Sequence, residues 1–169
     1  MIDLSTLSAQ YAVRRLSDAD ADAVLALCEG NALFYQYCGA APTREQVLAD
    51  MHITPPGIDE SRKYYIGFYQ GGELVAVMDL IDGYPDPETA FIGFFMMNAR
   101  FQGRQIGSAV IREAGNALRR GGMTSVRLAI DKANPQSTHF WKKNGYTILL
   151  EVYKDGWGPL LEAEKVIGD

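Results

Sequence analysis

Gln102-Gly103-Arg104-Gln105-Ile106-Gly107-Ser108 is the stretch on which the reading of this chain turns. It follows an apolar, strand-like run from Ala90 to Met97 and opens a helix-like run from Ile106 to Arg120, with the helix itself expected to start as early as about Gly103. N–H groups at a helix start have no acceptor inside the helix and point at whatever anion arrives. A glycine-bearing turn between strand and helix is therefore a place to hold phosphate, and a phosphorylated cofactor is the first expectation. The turn is not a P-loop, because no Gly-Lys-Ser/Thr follows, and it lacks the G-x-G-x-x-G spacing of a dinucleotide fold.

The flanking segments set the frame. Tyr11 to Leu16 reads as a first strand, and Ser17-Asp18 caps a helix with Val24, Leu25 and Cys28 on its apolar face. Phe34, Tyr35 and Tyr37 fall in a loop before a second helix, which Thr43-Arg44-Glu45-Gln46 opens as a capping box and which runs to about His52. Lys63 to Tyr69 and Leu74 to Ile81 flank a Gly-Gly turn and form a β-hairpin. Ala90 to Met97, almost wholly apolar, is a central strand. After the helix that ends at Gly121-Gly122, Val126, Leu128 and Ile130 mark another strand. Asn134-Pro135 starts a last helix, with Asn134 as its cap. Tyr146 to Tyr153 and Leu160 to Ile167 are final strands, separated by a loop at Asp155-Gly156-Trp157-Gly158-Pro159. The expectation is one α/β domain over residues 1–169, of the α+β kind, with a mixed, mostly antiparallel sheet flanked by helices.

Composition narrows the function classes. The chain has 169 residues, 47% hydrophobic and 22% charged, enough for one full core. A net charge of -5 argues against binding nucleic acid by bulk electrostatics. No apolar run approaches the roughly 20 residues that span a bilayer, and no secretory signal is visible, so no membrane role is expected. Cys28 and Cys38 form no CxxC or Cys/His cluster. No metal site is expected, and a reduced, cytoplasmic protein with free thiols is the plain reading. Charge is uneven: Glu73, Asp79, Asp82, Asp86 and Glu88 occur without a base between them, while Asn98 to Lys132 is rich in arginine. An anionic ligand near the second segment and a cationic one near the first is the simplest functional reading; two solvated surfaces is the plain one.

A second motif lies one strand beyond the first. Asn134-Pro135-Gln136-Ser137-Thr138-His139-Phe140-Trp141-Lys142-Lys143-Asn144-Gly145-Tyr146, taken with Gln102 to Ser108, resembles the GNAT superfamily of acyl-CoA-dependent N-acetyltransferases. Gln102, Gln105 and Gly107 stand at the defined positions of the family's [R/Q]-x-x-G-x-[G/A] signature, with Gln105 in place of its inner glycine. Asn134, Phe140, Lys143, Gly145 and Tyr146 match the second signature, and Trp141 replaces a frequent tyrosine.

The resemblance implies acetyl-CoA in a cleft where two central parallel strands splay, Ala90–Met97 and Ser125–Ile130. The pyrophosphate is expected on Gln102, Gly103, Arg104, Gln105, Ile106, Gly107 and Ser108. Phe95, Met96 and Met97 would receive the pantetheine arm, with Asn134 and Trp141 also on the cofactor side. A primary amine, chiefly of a small molecule, would then attack the thioester directly. Glu88 is the first candidate for general base, with Asp79 and Asp82 as others, and Tyr146 is a substitute for the missing acid. Phe34 and Tyr35, with Asp79 and Asp82, are the expected acceptor contacts. The alternatives are a protein amine as acceptor, or a non-catalytic acyl-CoA sensor, which Gln105 and Trp141 favour. The resemblance also allows a homodimer.

Overall fold

A seven-stranded sheet in the order β1-β2-β3-β4-β5-β7-β6 carries the molecule. The computed structural model describes residues 1–154, 156 and 158–168; Asp155 and Trp157 of the expected loop lie outside the described residues. The strands are β1 (Ala12–Arg15), β2 (Lys63–Gln70), β3 (Glu73–Asp82), β4 (Thr89–Met97), β5 (Ser125–Asp131), β6 (Thr147–Tyr153) and β7 (Pro159–Val166). The helices are α1 (Ala21–Glu29), α2 (Ala32–Cys38), α3 (Arg44–His52), α4 (Ile106–Arg120) and α5 (Pro135–Lys143). Among the described strands β4 and β5 alone pair in parallel; the other neighbours are antiparallel. Among the described residues, no helix is long and apolar enough to cross a membrane.

Local chemistry accounts for most boundaries. Thr43 Oγ1 accepts from the Gln46 N–H while Gln46 Oε1 accepts from the Thr43 N–H at 2.7 Å, closing a capping box on α3. Asn134 Oδ1 accepts from the Ser137 N–H at 2.9 Å, and Pro135 fills the first helical position of α5, where no N–H is needed.

Two boundaries depart from expectation. Residues 32–38, including Phe34, Tyr35 and Tyr37, form helix α2 and not a loop. Gly30-Asn31 only interrupts the helical path, and the aromatic residues gain burial by coiling, with Phe34 and Tyr35 packed on the core. Helix α4 begins at Ile106, three residues later than Gly103. Gly103 (φ +73°) and Gln105 (φ +61°) are both left-handed, which a right-handed helix cannot continue. Glycine takes that conformation freely, whereas an L side chain such as glutamine is strained by about 1–2 kcal/mol.

The sheet has one core on each face. Val110, Ile111, Ala114, Ala117 and Leu118 of α4 join Trp141 of α5 over Ile66, Met78, Leu80 and Leu128 on one face. Val24, Leu27 and Cys28 of α1 and Val47 and Met51 of α3 cover Tyr65, Val77 and Met96 on the other.

The register of β4 is interrupted at one residue. Pairing with β3 passes from Asp79↔Phe94 to Leu80↔Ile92, so Gly93 has no opposite number. Such a β-bulge bends its strand. Pairing of β4 with β5 covers only Thr89–Ile92 against Ser125–Leu128, and it stops at the bulge. Among the described residues, no strand lies beside the β5-facing edge of β4 from Gly93 to Met97, which is the splay expected between these strands.

Asn31 ties the α1–α2 junction to the end of β4. Its buried Nδ2 donates to the carbonyls of Leu27 at 2.8 Å and Met97 at 3.0 Å, and its Oδ1 accepts from Gln102 Nε2. Removing a buried donor strands its acceptors at about 1–3 kcal/mol. We therefore expect Asn31→Leu to cost about 2 kcal/mol and to lower Tm by about 4–8 °C in a calorimetric scan.

Candidate active site

Helix α4 makes its first hydrogen bond from the Ala109 N–H to the Gln105 carbonyl at 3.0 Å. The N–H groups of residues 103–108 find no acceptor among the described residues. The left-handed turns at Gly103 and Gln105 curl this segment, so that free donors sit beside the positive end of a fifteen-residue helix. Backbone donors and helix dipole together favour an anion here.

The turn forms one end of a cavity of about 560 Å³. Its walls are the α1–α2 junction from Gly30 to Phe34, the end of β4 from Phe95 to Met97, and α5 through Gln136, Ser137, His139, Phe140, Trp141 and Lys143. Apolar residues dominate the strand side, and Lys143 and His139 lie on the helix side. Phe95 stacks on Phe140 with ring centroids 6.0 Å apart, and Trp141 meets Phe95 edge-on at 6.1 Å. Gly107 packs against Met97 and Phe140; an added Cβ would come within 3.4 Å of both. The open edge of β4, an apolar channel and a set of free N–H groups lie in succession. That succession fits an elongated ligand with an anionic end and an amide-bearing arm.

The expected cofactor residues divide accordingly. Phe95, Met96, Met97, Gln102, Gly103, Gln105, Ile106, Gly107, Ser108 and Trp141 line this cavity. Arg104 is exposed at its margin and does not line it. Asn134 is fully buried as the α5 cap, its Nδ2 3.7 Å from Cys38 Sγ, and does not reach the cavity.

The expected catalytic and acceptor residues are not brought together. Glu88 is exposed in the turn that precedes β4, at the opposite end of that strand from the cavity. Tyr146 is buried edge-on against Trp141 with centroids 5.0 Å apart, and burial pushes its hydroxyl above the usual range. That is the setting of a core residue. Phe34 lines the cavity, whereas Tyr35 turns inward, where desolvation and a hydrogen bond with Cys28 push its hydroxyl up. The acids of residues 73–88 disperse. Glu73 pairs with Arg100, Asp82 lies 3.3 Å from the N-terminal amine, and Asp86 holds Thr89 Oγ1 and the Glu88 N–H.

Asp79 is different. Its Oδ2 accepts from Lys63 Nζ at 2.8 Å, and the lysine side chain is 2% exposed. Its Oδ1 is the one buried side-chain polar atom among the described residues without a hydrogen-bond partner. Oδ2 also lies against Gly93, where a Cβ would sit 2.6 Å away. Burial pushes the carboxyl up to about 6, although Lys63 pulls it back down.

Several wall residues have only faint sequence signals. Asn31 is marked by Gly30 as a helix break, and Lys63 is a single charge at the head of an otherwise apolar strand. Nothing local marks Gly93 as a bulge. No group of His, Cys, Asp and Glu among the described residues could hold a metal.

Comparisons with known proteins agree with this architecture. No curated protein matches the sequence. An acetyltransferase from Thermus thermophilus superposes with a TM-score of 0.74 at 20% identity, over 93% of this chain and 97% of that one. The PaiA N-acetyltransferase from Thermoplasma acidophilum, solved in complex with coenzyme A, gives 0.66 at 17% identity, over 92% and 98%. A spermidine N-acetyltransferase SpeG chimera from Vibrio cholerae and hSSAT gives 0.68 at 14%, over 94% and 96%. The model of the Acetyltransferase (GNAT) family matches residues 27–146, from the end of α1 through the cavity-lining turn to the end of the second motif. The chain belongs to the GNAT family of acetyltransferases.

Proposed function

We propose that this acetyltransferase moves the acetyl group of acetyl-CoA to a primary amine of a small molecule. The observation that carries the reading is the end of β4–β5 pairing at Ile92, which opens a strand edge directly into the cavity that ends on the free N–H groups of residues 103–108. In this reading those N–H groups hold the pyrophosphate, with Lys143 and His139 nearby. The free edge of β4 from Gly93 to Met97 pairs with the amides of the pantetheine arm, as a further strand would. Phe95, Phe140 and Trp141 exclude water from that arm. Acetyl-CoA supplies an activated acetyl group as its thioester.

The chain's own contribution is placement. A main-chain N–H on the open edge of β4 is positioned to polarise a carbonyl, as an oxyanion site does. The amine attacks directly, and no protein nucleophile is needed. Trp141 has an indole N–H and no useful acidity, but a thiol of pKa roughly 8.5 departs as thiolate without a dedicated acid. The channel, walled by the α1–α2 junction, β4 and α5, suits the narrow pantetheine arm. The free thiols of Cys28 and Cys38 suit a reducing compartment.

Two measurements test this. Thiol release from acetyl-CoA with a panel of alkylamines, diamines and polyamines is expected to show amine-dependent turnover; coenzyme A binding without turnover on any of them would instead support a sensor. Ser108→Glu adds a carboxylate at the third position of α4, beside the proposed phosphates. Acid in a first helical turn is tolerated or mildly stabilising. Tm should hold, while coenzyme A affinity falls more than tenfold in titration calorimetry, since a charge-assisted hydrogen bond is worth about 1.5–3 kcal/mol. Unchanged affinity would move the phosphates elsewhere.

A further inference from the structure

Asp79 has a combination of features that the fold does not require. It stands on β3 at the point where β4 bulges, with its Oδ2 against the Cα of exposed Gly93. One oxygen is held by a lysine that is itself out of solvent, and the other has no partner among the described residues. A buried unpartnered oxygen has a desolvation cost, and such groups in native proteins call for a water, an ion or a chemical role. The bulge also begins the strand edge on which, under the function proposed above, the acetyl group is presented.

We propose that Asp79 accepts the proton of the incoming ammonium through water at the Gly93 bulge, and that Lys63 is the positioning residue that sets its ionisation. The inference rests on the acetyl-transfer reading. The ammonium passes one proton to Asp79. The nitrogen lone pair forms the N–C bond, the C–S bond breaks, and its electron pair leaves on sulfur. The second N–H proton neutralises the thiolate, and Asp79 returns its proton to solvent.

The surroundings suit such a role. A base works best when its pKa lies near the working pH. Desolvation brings the Asp79 carboxyl up to about 6, while Lys63 keeps it from rising further. The groups that face it are Lys63 and Tyr65 from β2 and Asp50 from α3, with Cys28 of α1 beyond Tyr65. Asp50 is exposed at the surface of α3, yet desolvation by its surroundings pushes its carboxyl up and Lys63 pulls it down. Lys63 therefore serves two acids, and its loss raises both. Gly93 is part of the arrangement, because any side chain there collides with the carboxylate.

The test uses the full chain, acetyl-CoA and whichever alkylamine from the panel turns over. For the parent, kcat/KM should fall on the acid side with a midpoint near pH 6. Asp79→Asn should lower kcat on the order of 10²-fold or more. Its KM for acetyl-CoA and its coenzyme A affinity should stay within about threefold, which also shows that it is folded. Lys63→Met should move the acid midpoint upward by about one pH unit and recover kcat at higher pH, a pattern that mere destabilisation does not produce. Carboxyl carbon NMR of the parent, assigned with Asp79→Asn, should show Asp79 titrating at the same midpoint without any acceptor present. If the parent releases no thiol with any amine, the acetyl-transfer reading fails. If the parent is active and Asp79→Asn keeps kcat within about threefold, or Asp79 titrates near an ordinary value of about 4, Asp79 is not the base.

Discussion

The ladder defect at Gly93 is the constraint on which the rest of the site depends. An unbroken β4 would pair with β5 along its whole length, and the sheet would offer no free edge in its middle. The bulge ends the pairing after Ile92↔Leu128 and shifts the side-chain alternation, so that Ile92 and Phe95 face the same core. One unmatched residue thus opens the sheet and turns Phe95 and Met97 toward α5. Glycine is needed there for a reason of contact, since Asp79 occupies the space of a side chain. The opening of the sheet and the burial of Asp79 are consequences of the same residue.

A second bracket holds the two ends of the cavity in register. Asn31 bonds to Met97 at the end of β4 and to Gln102 at the start of the turn, and Gln102 Nε2 also reaches the Met97 carbonyl at 3.3 Å. The junction of α1 and α2, the strand end and the donor turn are therefore one hydrogen-bonded unit. This explains how the turn tolerates Gln105 in a left-handed conformation. Local strain persists where the surrounding structure over-determines the backbone, and here the chain is pinned on one side by Gln102 and on the other by the first bonds of α4. The missing glycine costs conformational energy without redirecting the turn.

Much of this was legible in the sequence because it depends on short-range chemistry. The capping box of α3, the Gly-Gly hairpin, the Asn134-Pro135 helix start and the donor turn are each written within a few residues, and the fold class follows from their order. What was not legible depends on contacts across the sheet. Residues 32–38 coil because of what their aromatics bury against, and local propensity is a weak guide against such packing. Gly93 resembles any strand glycine until its neighbour on β3 is known. Lys63 looks like an exposed strand end, yet it lies beneath α3 with Asp79 for a partner 16 residues away.

The acidic stretch shows how composition misleads about a site. Five acids between residues 73 and 88 suggest a cationic surface partner, but strand geometry sends successive side chains to opposite faces. Asp79 and Asp82 are an odd number of positions apart on β3. One enters the face covered by α1 and α3, and the other meets the N-terminal amine. Glu73 stands at the hairpin paired with Arg100, and Asp86 and Glu88 lie in the turn before β4, where Asp86 holds the Glu88 N–H and Thr89 Oγ1. No field is summed from charges so dispersed, and screening removes what remains over about 10 Å. The chemistry of this stretch rests on Asp79, whose cation Lys63 is itself out of solvent, whereas the amine beside Asp82 is exposed. A carboxylate is most useful as a base where solvation is scarce and one fixed cation limits the penalty, and among these acids only Asp79 meets both conditions.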